Sequence, residues 1–278
     1  MKPKWIIEDF DNDPHYELLA AEAVRAGCEC VHVRYVPFES GEYDHFGDDD
    51  CVIFFGSLNL GRQLRREKKW IPGVWCNLEN LRCLSYYARW GRHLINSDGF
   101  WIPRAELRRR SQELLDMFGG SFFARPDSGF KCGSGLSGQV FKSDQSPFNY
   151  SFELIEEFTE PDSMFLVAHS KKILSEYRFF MSQAKGVVAG GRYKTEGRAD
   201  FRPDYPDAAA EKAMEVWSEG WHPDPMYVVD IVETPEGWKM LEANSFSCSG
   251  VYLCDPAAIV TEANRMAEME WQDSQPEN

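Results

Sequence analysis

The tract Met226–Val251, MYVVDIVETPEGWKMLEANSFSCSGV, constrains this chain more than any other stretch. Two apolar runs flank Thr-Pro-Glu-Gly, and Asp230, Glu242 and Asn244 sit inside them. Burying an unpaired carboxylate is costly, so apolar strands carry acids where something pairs with them. Pro235, Glu236 and Gly237 suit a three-residue hairpin loop, with glycine in the left-handed position. Such a loop sets Thr234 against Trp238 and Asp230 against Glu242. Asn244, two residues on, shares their face. Facing carboxylates repel unless a cation bridges them, and an oxygen-only set of this kind suits Mg²⁺ beside phosphate oxygens. The plain alternative is an ordinary hairpin with one solvated face, for which Val228, Val229, Ile231, Met240 and Leu241 leave little room.

A second hairpin is expected upstream. Ile173–Met181 reads ILSEYRFFM and Val187–Lys194 reads VVAGGRYK. A loop of Ala184, Lys185 and Gly186 sets Arg178 against Arg192 and Glu176 against Lys194. Two facing arginines destabilise a ladder on their own, but around an anion they form a clamp. A solvated face on which Glu176 pairs with its cationic neighbours is the other reading. Before this hairpin, Phe122–Gly138 reads FFARPDSGFKCGSGLSG, a strand ending at Arg125-Pro126 followed by a glycine- and serine-rich loop. Glycines let backbone N–H groups close on phosphate oxygens. Arg125 and Lys131 add counter-charge. No Lys-Ser/Thr follows the glycines, so this is not a P-loop.

Elsewhere the pattern is α/β. Trp5–Ile7 reads as a strand, and Asp13-Pro14 starts a helix that Gly27 closes. Strands follow at Val31–Val36, Cys51–Phe55 and Gly73–Cys76, with a helix at Leu58–Lys69. No G-x-G-x-x-G opens the first helix, so a dinucleotide fingerprint is absent. Further helices are expected at Pro103–Phe118, at Ala208–Trp217, and after Asp255-Pro256. Residues 1–100 are expected to form an N-terminal βα module and 101–270 a catalytic region with a glycine-rich lid at about 121–162. Residues 271–278 form a polar tail.

Bulk properties exclude some functions. The net charge is −15, and from Asp200 onward 17 Asp/Glu stand against four Lys/Arg. Such a surface disfavours nucleic acid and anionic membrane. The basic cluster Arg62, Arg65, Arg66, Lys68 and Lys69 reads first as a solvated helix face. A nucleic-acid end-modifying enzyme is a further reading, and it needs its substrate there. The eight cysteines form no CxxC pair, and the histidines show no zinc-type spacing. Cys132, in the glycine loop, has no assignable base. No apolar run reaches the ~20 residues of a membrane span. Met1-Lys-Pro-Lys leads into a strand without a signal-peptide core, so a cytoplasmic protein is expected.

The order of parts resembles the ATP-grasp superfamily of ligases, and most of all the phage and bacterial R-two-K clade, in which an arginine joins two lysines. The matching tracts are Phe123-Ala-Arg-Pro-Asp-Ser, Glu176-Tyr-Arg, Gly191-Arg-Tyr-Lys, Val229-Asp-Ile, Leu241-Glu-Ala-Asn-Ser-Phe and Ser249-Gly. They span about Leu94 to Val260. The resemblance implies an ATP-grasp fold in which two α+β subdomains sandwich ATP. Asp230, Glu242 and Asn244 would hold Mg²⁺. Arg125 would stand where many relatives place a lysine, and the first-strand lysine of many relatives has no clear counterpart. Lys131, Gly133, Ser134 and Gly135 would lie on the nucleotide from the lid. Lys171 or Lys172, with Glu176 and Lys194, would approach it from the neighbouring strands, the choice between the two lysines staying open. Residues near Met164–Val167 would build the adenine pocket, and Arg178 and Arg192 would be catalytic. The implied chemistry is carboxylate–amine ligation through an acyl phosphate, with ATP going to ADP and phosphate. A kinase-like phosphotransferase and a nucleotide-binding module without turnover are the alternatives. The expected partners are a small-molecule or peptide carboxylate and an amine acceptor.

Overall fold

Four short parallel strands come first in the computed structural model, which describes residues 2–9, 14–36, 43–130, 138–142 and 148–275. They are β1 (Lys4–Glu8), β2 (Cys30–Val33), β3 (Cys51–Phe55) and β4 (Ile71–Gly73), in the order β2-β1-β3-β4. Helices α1 (Pro14–Arg25) and α2 (Leu58–Glu67) pack on this sheet. The central strands are buried on both faces, which is why they read as near-continuous apolar runs. Ser57 caps α2, its side chain accepting from the Leu60 amide. Two strands differ from expectation. β2 stops at Val33 rather than Val36, and β4 pairs through Cys51 opposite Ile71, ahead of the expected Gly73–Cys76. The anticipated cap Asp13 lies outside the described residues.

Helix α3 (Cys83–Trp90) leads into an antiparallel sheet of β5 (Phe100–Pro103), β6 (Ser121–Pro126), β7 (Gln139–Lys142) and β8 (Met164–His169), ordered β5-β8-β6-β7. It is backed by α4 (Arg104–Arg109), α5 (Ser111–Met117) and α6 (Phe148–Phe158). The single helix expected over Pro103–Phe118 is two helices, because Arg110 leaves helical geometry at φ −101°, ψ 13°. Phe122, Ala124, Phe165 and Val167 bury one face of the sheet with Leu107, Leu114 and Phe152. Strand alternation and the register place Phe123, Arg125, Leu166 and Ala168 on the other face. The tract expected to form an adenine pocket is therefore half core, and only its Leu166 side shares a face with Arg125.

The third sheet holds β9 (Ser175–Ser182), β10 (Gly186–Thr195), β11 (Arg198–Arg202), β12 (Met226–Thr234) and β13 (Gly237–Ser245), ordered β11-β10-β9-β12-β13. One face buries Phe179, Met181, Val229, Ile231 and Met240 with Ala209, Ala213 and Val216 of α7 (Asp207–Trp217). The other face is divided along its length. At one end Phe180, Met226, Val228 and Phe246 are covered by Ile259, Val260 and Ala263 of α8 (Pro256–Asp273). At the other end the same face carries Glu176, Arg178, Asp230, Glu242 and Asn244. Asp255 caps α8 through the Ala257 and Ala258 amides, as the Asp-Pro pair predicts. The chain is thus a mixed α/β protein, with three sheets among the described residues.

Glu262 of α8 is buried and clamped. It accepts from Ser182 Oγ at 2.6 Å and pairs with Arg265 at 2.5 Å and Lys185 at 3.1 Å. Burial pushes its pKa up, but the bonds from Arg265, Ser182 and Lys185 outweigh it and hold the carboxyl at about 2. An unfolded glutamate titrates near ~4.3, so this group stabilises the fold above that pH, and the gain is lost as pH falls through about 2. Glu262→Gln is expected to cost about 1–3 kcal/mol at pH 7 and to make stability flatter across the acid range. Urea midpoints of the two proteins should converge near pH 2. Parallel curves down to that pH would refute the role.

Candidate active site

The metal-type residues face one another, but not for the reason the loop suggested. Thr234 pairs with Gly237, so only Pro235 and Glu236 lie between the strands. Glu233 then meets Trp238, and Ile231 meets Met240. A bulge follows, and beyond it Asp230 meets Glu242 and Val228 meets Asn244. The extra residue at Leu241 makes up for the shorter loop. It also turns Glu242 and Asn244 onto the Asp230 face, while Met240 stays in the core against α7.

The second hairpin departs further from its expected register. Ser182 pairs with Gly186, so the loop is Gln183–Lys185. Two irregularities follow, after Val187 and after Arg192. Glu176 does face Lys194, at 3.6 Å between charged atoms. Arg178, however, faces Gly191, and Arg192 faces Tyr177. The expected Arg178–Arg192 clamp is therefore absent. Arg192 Nη2 instead binds Asp200 of β11 at 3.1 Å, and its buried Nε has no partner among the described residues.

On its other side Arg178 meets Asp230 of β12. The pair is bidentate, Nε to Oδ1 at 2.9 Å and Nη2 to Oδ2 at 2.8 Å, with Asp230 1% and Arg178 7% exposed. Arg178 Nη1 also donates to the Gly250 carbonyl at 3.1 Å. Its guanidinium lies over the rings of Tyr252 and Tyr193, which stack on each other. Tyr193 donates to Glu176 at 2.6 Å. Burial, then the Asp230 and Glu176 charges, push the Tyr193 phenol well above its usual pKa, so it remains a donor. Sequence reasoning gave no role to Tyr193, Gly250 or Tyr252, although Tyr193 and Gly250 lie within the matching Gly191-Arg-Tyr-Lys and Ser249-Gly tracts and Tyr252 follows two residues on.

The Asn244 amide nitrogen joins the two acids, 3.1 Å from Asp230 Oδ2 and 3.1 Å from Glu242 Oε1. Three side chains from two strands thus converge on one point, where an electropositive N–H₂ group stands between two carboxylates. A half-turn of the amide presents its oxygen to the same point, so the donor set is that of a hard divalent cation. A carboxylate accepts from several directions, so Asp230 keeps acceptor capacity beside Arg178.

Arg125 links the second sheet to this cluster. Its Nη1 pairs with Glu242 Oε2 at 2.5 Å, and the residue is 5% exposed. Its Nε and Nη2 are buried with no acceptor among the described residues. Unsatisfied buried donors are rare and each calls for an explanation. Anion oxygens are the natural complement.

The remaining predicted residues divide into two groups. Lys131, Gly133, Ser134 and Gly135, with Cys132, lie outside the described residues. Lys171 is committed to Asp98 at 2.6 Å and Asn96 at 3.3 Å. Lys172 makes no ion pair among the described residues. It lines a cavity of about 460 Å³ with His169, Thr234 and Lys239, at the step from β8 to β9. No described helix is long and apolar enough to cross a membrane.

Among the described residues, one parallel and two antiparallel sheets carry an acid–amide cluster with buried arginines where the last two sheets meet. The model of the ATP-grasp domain, R2K clade family 3, matches residues 67–263, and the chain belongs to that family. No curated protein matches it. Among solved structures, D-alanyl-alanine synthetase A from Vibrio cholerae aligns with TM-score 0.60 at 11% identity, over 98% of this chain and 99% of that one. The ATP-grasp ligase PsnB, complexed with a minimal precursor, aligns with TM-score 0.54 at 11% identity, over 96% and 100%. The macrocyclase MdnC from Microcystis aeruginosa, bound with precursor peptide MdnA, aligns with TM-score 0.52 at 12% identity, over 98% and 100%. At such identities these likenesses show the ATP-grasp fold.

Proposed function

We propose that the chain is an ATP- and Mg²⁺-dependent ligase that joins a carboxylate to an amine through an acyl phosphate. The observation that carries the reading is the convergence of Asp230, Glu242 and Asn244 on one point beside Arg125, whose buried Nε and Nη2 have no acceptor among the described residues. Phosphate oxygens satisfy such donors, and the three oxygen ligands suit the cation that accompanies them. That cation would sit on Asp230, Glu242 and Asn244 and supply charge neutralisation at the phosphates.

The chain's own residues do the rest by position and charge. Arg178 is held rigidly by Asp230, Gly250 and two tyrosines, so its charge needs no reorganisation during reaction. Arg125 offers fixed N–H groups from the facing sheet. In the first step a substrate carboxylate oxygen bonds to the γ-phosphorus and ADP leaves with the bridging oxygen. In the second an amine nitrogen bonds to the acyl carbon, phosphate leaves, and the nitrogen gives up a proton. Neither step needs a protein nucleophile. Lys172 and the Leu166 face of β8 would take the nucleoside end, and the substrates would be a small-molecule or peptide carboxylate and an amine.

The test is product analysis. ADP and phosphate should appear only when a carboxylate and an amine are both present, with a condensed product whose mass is lower by one water. AMP with pyrophosphate, or a stable phosphorylated product, would overturn the reading.

A further inference from the structure

Outside this cluster, α2 walls a cavity of about 570 Å³ whose lining includes Tyr35, Asn59, Arg62, Arg65, Arg66 and Asn77. Its size is that of a small-molecule or peptide-end site. Three arginines meet one lining acid, Glu79, in a chain of net charge −15. Of the basic run, Arg62, Arg65 and Arg66 are exposed and border this hollow, while Lys68 and Lys69 do not.

The arginines are not consumed by one another's neighbours. Arg62 makes no ion pair among the described residues, and its guanidinium rests 4.5 Å from the centre of the Phe130 ring. Arg66 has only a 3.1 Å pair with the adjacent, exposed Glu67, a contact of small worth. Arg65 donates to the Cys76 carbonyl, which fixes the cavity wall.

The cavity also adjoins the candidate site. A Cβ on Gly61 would meet Cys248 Sγ at 3.2 Å, and Cys248 follows the strand that carries Asn244. Phe130, beneath Arg62, opens the glycine-rich tract, and Gly129 packs directly on Leu78 of the cavity wall. A ligand here lies against both the exit of the acid–amide strand and the Gly129-Phe130 pair.

We propose that this cavity seats a second, non-reacting carboxylate of the substrate, so that the chain takes an acidic substrate: a dicarboxylic amino acid or a peptide end bearing Asp or Glu. Arginine forks recognise carboxylates bidentately, and Asn59, Asn77 and Tyr35 offer neutral hydrogen-bonding groups around them. Nucleic acid is the poorer fit, because a backbone track needs an extended basic surface and this basic lining is local in an acidic protein. The proposal rests on the ligase reading for its purpose but not for its test.

The test is direct binding without nucleotide. Triglutamate, triglutamine, free glutamate and hexathymidylate are titrated into the whole chain and into the double variant Arg62→Gln/Arg66→Gln. Both arginines are exposed, so the fold is expected to survive, which a circular-dichroism melt checks. Triglutamate should bind the natural chain at least about tenfold more tightly than triglutamine at ~0.15 M salt, and the double variant should lose that difference. Free glutamate retaining most of the affinity identifies a small substrate, and its loss identifies a peptide end. Equal binding of triglutamate and triglutamine, or hexathymidylate binding more tightly than triglutamate, overturns the proposal. If acidic ligands bind through Arg62 and Arg66 but no ligation occurs, the ligase reading fails and this one stands. If ligation proceeds equally well with neutral carboxylates and in the double variant, the ligase reading stands and this one fails.

Discussion

Glu242→Gln is expected to abolish ATP turnover, by about 10³-fold or more, with little loss of stability. The size follows from the several kcal/mol that a cation contributes to phosphoryl chemistry, at about 1.4 kcal/mol per tenfold in rate. The choice of residue follows from the pairing. Glu242 is only partly buried, so the amide replacing it and the Arg125 guanidinium it leaves behind are met in part by water. Asp230→Asn should be equally inactive but less stable, because Arg178 is buried against Asp230 and would keep its charge without full compensation. Removing one partner of such a pair costs about 3–5 kcal/mol, and an amide of the same shape should recover part of that. Phosphate release at saturating Mg²⁺, set beside urea unfolding of both variants, separates the two effects. Turnover of Glu242→Gln within a few-fold of the natural chain would remove the metal assignment.

Arg125→Met is expected to lower kcat/KM for ATP by about 10²–10³-fold, the usual cost of losing preorganised donors at a developing charge. Methionine fills much of the same volume and removes the two buried donors that have no acceptor among the described residues. Unfolding should therefore change less than turnover does. Arg125→Lys should recover only part of the activity, since a point charge cannot reproduce a planar fork. The informative comparison is ATP kinetics at fixed free Mg²⁺. Undiminished kcat/KM in the methionine variant would mean that the orphaned N–H groups face no phosphate.

The sequence made some of this visible, for identifiable reasons. Asp230, Glu242 and Asn244 stood out because polar residues in apolar strands demand partners, and that argument survives an error in loop length. Their register was right through two offsetting departures, a shorter loop and a bulge at Leu241. In the second hairpin the compensation came one step too late, restoring the expected Glu176–Lys194 pairing only beyond Arg192. Between the two irregularities Arg178 stands opposite Gly191, and the aspartate that holds it came from the strand on its other side. Local sequence does not say which non-neighbouring strand completes a sheet. The Arg125–Glu242 contact was hidden for a similar reason, since it joins two sheets. Helix α3, CLSYYARW, was not expected although Cys83, Tyr86, Tyr87 and Trp90 stand at helical spacing, because eight residues give barely two turns of pattern and Arg82 supplies no side-chain cap. The Leu58–Glu67 helix was legible as an element, but only the folded chain shows that its arginines line a hollow.

The bulge at Leu241 has a further consequence for how this hairpin tolerates change. It sets the two halves of β13 out of phase, so the turn end and the chemical end keep separate frames. Pairing Leu241 directly with Asp230, with no bulge, would bring Glu242 and Asn244 round to the α7 side and Ala243 round to the side of Asp230. No residue identity nearby need change for the site to be lost. Deleting Leu241, by contrast, leaves Ile231 opposite Met240 and Asp230 opposite Glu242 in one regular ladder, so the site's register depends on the bulge staying open and not on the residue that fills it.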